Sequence, residues 1–251
     1  MAEAKATPFL GWDFSSLGER SSVRGVPWDY RAEVLARAPA KRLLDMGTGG
    51  GEMLARMRPP AQFTVATEAW APNVPVAAVR LGDLGTPVVR DEGSPDNLHG
   101  IPERGRLPFR DDAFGLVINR HEAFNAHEVA RVLRRGGAFV TQQVDLHSYD
   151  DFLQALDLEI SAESESWLPV AAAQMEVAGL RVDTARHGEE LSTFYDVGAL
   201  AWYLRSVPWA VEGFDVDRHA PQLRRIHEAG APFTARQRRF LLDHHRPGMT
   251  T

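Results

Sequence analysis

The part of the chain best suited to bind a ligand is a carboxylate followed by a run of glycines. Asp45 ends a short apolar run, and Gly47, Gly49, Gly50 and Gly51 follow it at once, before a stretch with helical spacing of apolar residues. Glycine has no Cβ and adopts positive φ, so a ligand can lie directly against the backbone of such a turn. The N–H groups at the start of the following helix would point toward the same ligand.

The residues in and after the glycine turn exclude two common kinds of nucleotide-binding turn. A dinucleotide-binding turn has glycine at its first, third and sixth positions, whereas the sixth position here is Glu52, whose charge would repel a pyrophosphate. A phosphate-binding loop is excluded because no Gly-Lys-Ser/Thr sequence follows. Asp45 and Glu52 suit instead a ligand that carries a cationic centre and an amino group.

A second acidic residue is placed to complete this site. Residues 62–67 are apolar and β-branched, which predicts a strand ending at Glu68, 17 residues after Gly51. A carboxylate at the end of the second strand can accept hydrogen bonds from both hydroxyls of a ribose. Ala69 and Trp70 follow directly, and the Trp70 ring is expected either to stack on an adenine or to cap the edge of the sheet.

Together these residues resemble a known family. Asp-x-Gly-x-Gly-x-Gly after the first strand resembles motif I of the class I S-adenosylmethionine-dependent methyltransferases. Residues 107–119 resemble the loop and fourth strand of the small-molecule members, although Gly115 stands where most have Asp, and residues 132–140 resemble the Gly-Gly turn and fifth strand. The resemblance covers residues 41–143 and is to the ubiquinone/menaquinone methyltransferase-like group. It implies S-adenosyl-L-methionine as cofactor and S-adenosyl-L-homocysteine as product.

The alternation of predicted strands and helices around these residues indicates an α/β fold. Strands alternating with helices imply right-handed crossovers and a parallel sheet, and two later extended segments would add an antiparallel pair. We therefore expect a Rossmann-like, seven-stranded, mostly parallel sheet with helices on both faces and a helical lid. The predicted strands are 42–46, 62–67, 86–90, 114–119, 137–143, 180–193 and 233–246.

The pattern also predicts three regions. Residues 1–40 form an N-terminal arm and helix that contribute to the lid, residues 41–145 form the cofactor-binding core, and residues 146–251 complete the sheet and the substrate lid. Residues 91–106 are expected to form a long polar loop on the cofactor side. His244 and His245, neighbours on a strand, are expected at the surface.

The end of the fourth strand is expected near the reacting atoms, because ligands of open α/β sheets bind at the carboxyl ends of the strands. Methyl transfer from a sulfonium needs mainly positioning, with a base where the acceptor must lose a proton. His121 is the candidate base because its pKa lies near neutrality; the alternative is a structural histidine bonded to Glu122 or to backbone. Arg120 would either bind an acidic substrate or pair with Glu122.

The candidate site residues form two groups. The cofactor-binding residues predicted from the resemblance are Asp45, Gly47, Thr48, Gly49, Gly51, Glu68, Ala69, Trp70, Asn119 and Arg120. The predicted substrate-binding residues are Trp28, Tyr30, His121, Gln143, Trp202 and Tyr203, for which the aromatic members have core packing as the alternative.

Composition narrows the function further. The 251 residues contain no cysteine, which excludes disulfides, thiolate zinc sites and a cysteine nucleophile. We expect no metal, because the histidine after His121 is His127, six residues on, whereas a zinc protease helix needs it four residues on. With no apolar run long enough for a membrane and no signal peptide, we expect a cytoplasmic protein without membrane contact.

The sequence therefore predicts an enzyme that moves a methyl group from S-adenosylmethionine to O, N or C of a small molecule by in-line displacement, acting as a monomer or homodimer. An RNA or protein methyltransferase is the first alternative, but it predicts a basic face that a net charge of −6 does not indicate. The second alternative is an S-adenosylmethionine-binding protein that transfers no methyl group.

Overall fold

An eight-stranded β-sheet organises the chain in the computed structural model, which describes residues 14–94, 105–162 and 166–248. The strands are β1 Ser21–Arg24, β2 Ala40–Met46, β3 Ala61–Glu68, β4 Val88–Arg90, β5 Phe114–Arg120, β6 Leu133–Val144, β7 Arg181–Phe194 and β8 Phe233–His245. A 3₁₀ helix spans Ser15–Arg20, and the α-helices are α1 Tyr30–Ala36, α2 Glu52–Met57, α3 Asn73–Gly82, α4 Ala126–Val132, α5 Asp150–Ala155, α6 Leu168–Val177, α7 Val197–Ser206 and α8 Ala220–Glu228.

The sheet is open and mixed, with the strand order β1-β7-β8-β6-β5-β2-β3-β4. The five strands from β4 to β6 pair in parallel, whereas β8 pairs antiparallel with both β6 and β7. This arrangement confirms the predicted α/β Rossmann-like fold with a mostly parallel sheet.

The predicted number of seven strands is wrong, because β1 adds an eighth. Ser21–Arg24 pairs antiparallel with residues 191–194 of β7, where the backbone groups of the edge strand would otherwise lack partners. Most of β1 is exposed, so its four residues lack the apolar alternation that marks a strand in a sequence. The sequence interpretation had assigned this segment to an arm.

The central strands are buried on both faces of the sheet. Successive residues of β2 point to opposite sides, so that Leu43 packs with residues of α1, α2 and α3, and Leu44 packs with residues of α4 and α6. Both leucines are fully buried. The helices therefore cover both faces, and the parallel strands end together at one edge.

Strands β7 and β8 extend beyond the end of β6 and carry a separate hydrophobic cluster. The pairing of β6 with β8 ends at Val144 and Arg239, whereas β7 and β8 continue to pair as far as Phe194 and Phe233. Helices α5, α7 and α8 and the 3₁₀ helix pack around this extension, with Phe152 at the centre of a group of aromatic rings. These elements belong largely to the region predicted as a lid.

Further predictions concern His244, the N-terminal arm, the long polar loop and membrane-spanning segments. The prediction that His244 lies at the surface is wrong: its ring is fully buried and stacks on Phe139, because β8 is covered on that face. Residues 1–13 of the predicted arm and residues 95–104 of the predicted loop lie outside the described residues. Among the residues that are described, no helix combines the length and the apolar character needed to cross a bilayer.

Candidate functional site

The glycine turn follows β2 directly and approaches the end of β5 closely. Gly47, Gly49 and Gly51 all have positive φ, at 67°, 63° and 81°. A Cβ on Gly47 would lie 2.3 Å from Cβ of Glu122, so this position has no room for any larger residue. The sequence predicted the bare backbone of this turn, and the structure identifies Glu122 as the group that lies against it.

Glu68 joins the end of β3 to the glycine turn. Its Oε2 accepts a hydrogen bond from the Gly49 N–H at 2.6 Å, and its Oε1 accepts one from the Trp70 N–H at 2.8 Å. An ionised carboxylate has about four acceptor positions, so about two remain for ligand hydroxyls. Burial raises the pKa of Glu68 above its ordinary value. The side chain of Trp70 stands beside this group and is 66% exposed.

Asp91 is a third acidic residue at this edge, and the sequence interpretation did not single it out. It follows β4 directly, and its N–H donates to the Glu68 carbonyl at 3.2 Å. Burial raises its pKa. Its position after the next parallel strand beyond Glu68 is the signal that could have identified it.

Two more carboxylates, Asp45 and Glu122, line a cavity beside the turn. Burial raises the pKa of Asp45 to about 7 and that of Glu122 to about 7, and the charges of Glu68 and Asp91 contribute to the rise at Glu122. Glu52 also lines the cavity, but it is ion-paired with Arg80.

Polar residues at the end of β6 hold the segment that follows β5. The Gln143 side-chain amide donates to Oδ1 of Asn119 and, at 3.0 Å, to the carbonyl of Glu122, while the Thr141 hydroxyl donates to the same Asn119 oxygen at 3.0 Å. Asn119 and its partners are almost fully buried. Gln143 and Asn119, predicted as substrate- and cofactor-binding residues, therefore contact each other beneath the site.

His121 is held from the opposite face of β6. The Trp28 indole N–H donates to Oε1 of Gln142 at 2.8 Å, and the Gln142 amide nitrogen lies 3.0 Å from Nε2 of His121. His121 keeps accessible surface where it lines the cavity, but desolvation by the surrounding residues and the positive charges of Arg120 and Arg239 hold its pKa well below its usual value. The His121 backbone has φ of 62°, a strained conformation for a residue with a Cβ.

A cavity of about 400 Å³ connects the turn to the cluster carried by β7 and β8. Its first end is lined by Asp45, Gly47, Thr48, Arg120, His121 and Glu122. Its second end is lined by Tyr149, Glu190, Phe194, Tyr203, Gln237 and Arg239. Residues of the 3₁₀ helix and of β1 also line the cavity. The first end thus combines two carboxylates with Arg120 and His121, and the second combines aromatic side chains with the pair Glu190 and Arg239.

The predicted substrate residues take different places around this cavity. Tyr30 lines it and donates through its hydroxyl to the Asn119 carbonyl at 3.0 Å, and Tyr203 lines it and accepts from the Gln237 amide at 2.7 Å. Trp202 is instead buried in the cluster around α7 and does not line the cavity, and Trp28 acts on His121 through Gln142. Ala69, between Glu68 and Trp70, is half-buried.

Comparison with known proteins gives one curated relative. It is the uncharacterised methyltransferase YcgJ of Bacillus subtilis (strain 168), which is 30% identical over 118 residues, covering 44% of this chain and 42% of the relative. The match thus spans less than half the length of that protein. No protein-family model matches the chain.

Solved structures match over most of the chain. A candidate methyltransferase from Bacillus halodurans C-125 superposes with a TM-score of 0.59 at 16% identity, covering 86% of this chain and 97% of the other. The YcgJ protein superposes with a TM-score of 0.56 at 16% identity, covering 88% and 99%. These findings confirm, at the level of the fold, the predicted resemblance to class I S-adenosylmethionine-dependent methyltransferases.

Proposed function

We propose that this chain, which has the class I methyltransferase fold, transfers a methyl group from S-adenosyl-L-methionine to O, N or C of a small molecule, leaving S-adenosyl-L-homocysteine. The observation that carries the proposal is the bond between the Gly49 N–H and Glu68, at 2.6 Å. It joins the bare turn and the carboxylate at the end of β3 in one site, as recognition of a sulfur nucleoside requires.

The residues present fit this cofactor. Glu68 retains acceptor positions that ribose hydroxyls would use, and Asp91 offers a carboxylate at the adjacent strand end. Ala69 and Trp70, which follow Glu68, would border the adenine. Gly47, Thr48, Gly49 and Gly51 form the turn against which the amino-acid part would lie. Asp45 and Glu122 line the cavity as carboxylates suited to a cationic sulfur and an amino group.

The chain's own residues would act by positioning and by excluding water. S-adenosylmethionine supplies an already activated methyl group, so alignment of donor and acceptor accounts for most of the acceleration. Asn119 and Arg120 offer their backbone beside the glycine turn, because β5 pairs with β2 up to Met46 and Asn119. The base role of His121 stays a prediction, and its Nε2 is the atom that Gln142 contacts.

The acceptor would enter at the end of the cavity formed by the β7–β8 extension. We propose that the 3₁₀ helix and helices α5, α7 and α8 form the lid, while residues 41–145 form the cofactor-binding core. Support comes from Tyr149, Phe194 and Tyr203, whose aromatic side chains line this end of the cavity. Such walls suit a flat or apolar small molecule and exclude water from the transfer.

An RNA or protein substrate is less well supported by the charges around the cavity. Arg239 is paired with Glu190, and Arg80 is paired with Glu52, so two of the cations nearest the site are neutralised internally. A nucleic-acid backbone would need a continuous basic surface.

Two measurements test the proposal. Calorimetry with S-adenosylmethionine and S-adenosylhomocysteine should show binding of both to the purified chain, and absence of binding to either would refute it. Incubation with methyl-labelled cofactor and pooled small metabolites should transfer label to a small product. Binding without transfer under those conditions would favour the alternative of a non-methylating S-adenosylmethionine-binding protein.

A further inference from the structure

Arg120 lines the cavity and makes no hydrogen bond or ion pair with the residues that the structure describes. The Nε of its guanidinium is buried without an acceptor among them. Arg239, which also lines the cavity and is buried, instead donates to Glu190 at 3.0 Å and to Gln237 at 3.0 Å. A buried charge without a partner is costly unless a ligand supplies the opposite charge.

Charged groups of β7 and β8 are among those that act on the Arg120 side chain. The groups that act on it are Tyr30, Glu190, Arg239 and Arg56. Glu122, two residues later, is acted on instead by Glu68 and Asp91. At the end of β5, the Arg120 guanidinium is therefore within reach of the charges of Glu190 and Arg239, whereas the Glu122 carboxylate is within reach of those of Glu68 and Asp91.

His121 adds a neutral donor beside Arg120. An indole N–H is only a donor, so Oε1 of Gln142 accepts from Trp28 and the Gln142 amide nitrogen must donate to Nε2 of His121. A neutral imidazole with Nε2 as acceptor carries its proton on Nδ1. His121 also lines the cavity, so this N–H is available to an acceptor atom there.

We propose that Arg120 and His121 bind a carboxylate group of the methyl acceptor, so that the substrate is an organic acid with a flat or apolar body. The proposal rests on the proposed function and specifies its substrate class. A planar guanidinium matches a carboxylate through two parallel hydrogen bonds, and the imidazole N–H supplies a third donor. The aromatic side chains of Tyr149, Phe194 and Tyr203 would contact the body of the acid.

Binding of matched probes to the full chain, saturated with S-adenosylhomocysteine, tests this proposal. The probes are benzoate and 1-naphthoate, each compared with its uncharged carboxamide by ligand-observed NMR titration. Charge-assisted hydrogen bonds predict that each acid binds about 10- to 100-fold more tightly than its amide. Arg120→Gln should abolish this preference, whereas Arg135→Gln, which removes an exposed arginine, should retain it.

Three results would overturn the proposal: equal binding of acids and amides, no binding of either acid, or an unchanged preference in Arg120→Gln. If Arg120→Gln does not fold, Arg120→Lys keeps the charge without the fork and should show a reduced preference. Because Arg120 would meet the cofactor only through its backbone, which the substitution keeps, calorimetry of Arg120→Gln with S-adenosylhomocysteine should give an affinity within about twofold of the parent chain. A tenfold loss would instead assign Arg120 to the carboxylate of the cofactor. Failure of the parent chain to bind the cofactor would be seen before any acid is added, and would refute the proposed function itself.

Discussion

The side-chain amide nitrogen of Gln142 lies 3.0 Å from Nε2 of His121. Because the amide oxygen is held by the indole N–H of Trp28 at 2.8 Å, the direction of this hydrogen bond is determined by a residue 114 positions away in the sequence. The contact selects the neutral imidazole with its proton on Nδ1. In this tautomer Nδ1 of His121 is a hydrogen-bond donor, and the base role expected from the residue type stays a prediction.

Replacement of Gln142 by Glu should raise the pKa of His121. A carboxylate can accept from Trp28 and also from Nε2–H of His121, so it favours the charged imidazolium that the parent amide disfavours. We expect an upward shift of about 1 to 3 units, measured by NMR titration of the His121 ring. Gln154→Glu adds the same charge on the exposed face of α5 and serves as the control. An unchanged His121 titration in Gln142→Glu would contradict the assigned hydrogen bond.

Glu68→Gln should weaken binding of S-adenosylhomocysteine by about tenfold or more. Both oxygens of Glu68 accept backbone N–H groups, so an amide would set its NH₂ against one of these donors and also offer one fewer acceptor to the ribose. Calorimetry measures the affinity, and a thermal melt checks that the variant is folded. Glu228→Gln, at an exposed helix end, should bind as the parent does. Equal affinities for the two variants would remove Glu68 from the cofactor site.

Gly47→Ala should destabilise the chain much more than Gly230→Ala. Both glycines have φ of 67°, so an alanine at either position carries the same backbone strain. A Cβ at Gly47 would meet Glu122 at 2.3 Å, whereas a Cβ at Gly230 would have nothing within 4 Å. The difference in the free energy of unfolding, measured with urea, should be about 1 to 3 kcal/mol. Equal effects would mean that the turn has room beside Glu122.

The stability of the chain without ligand should fall as pH rises from about 5 to about 8, and Glu122→Gln should reduce this fall. The folded pKa of Glu122 is about 7, above the value near 4.3 of an unfolded Glu. Between these values the folded state binds more protons than the unfolded state, so the free energy of unfolding decreases with increasing pH.

We expect Glu122→Gln to reduce the difference between the two pH values by about 1 to 3 kcal/mol, measured by urea denaturation. Asp45, whose pKa is also about 7, would account for part of the remaining dependence. Glu176→Gln, an exposed substitution in α6, should leave the pH dependence as it is in the parent chain. His121 and His244, whose pKa values are lowered, change stability in the opposite direction, so the comparison with the parent chain isolates Glu122. The same pH dependence in Glu122→Gln and the parent would show that Glu122 is ionised throughout.

The positions of strands β2 to β8 along the chain, the glycine turn and the carboxylate at the end of β3 could all be predicted from the sequence. These features are local: a strand is predicted from a few apolar residues, a positive φ from glycine, and the acidic residue from its position after a strand. The glycine turn and Glu68 lie close together because parallel neighbours end at one edge of the sheet, which follows from topology alone.

The contacts of residues 119–122, at the end of β5, could not be predicted from the sequence. The hydrogen bonds from Gln142 and Gln143, the approach of Glu122 to Gly47 and the effect of the Arg239 charge on Arg120 all join distant parts of the chain. The eighth strand likewise depends on β7 extending past its neighbours. The type of a residue determines which interactions its side chain can make. Burial and long-range contacts determine which of these interactions form, because they set the partners and the charge state of the side chain.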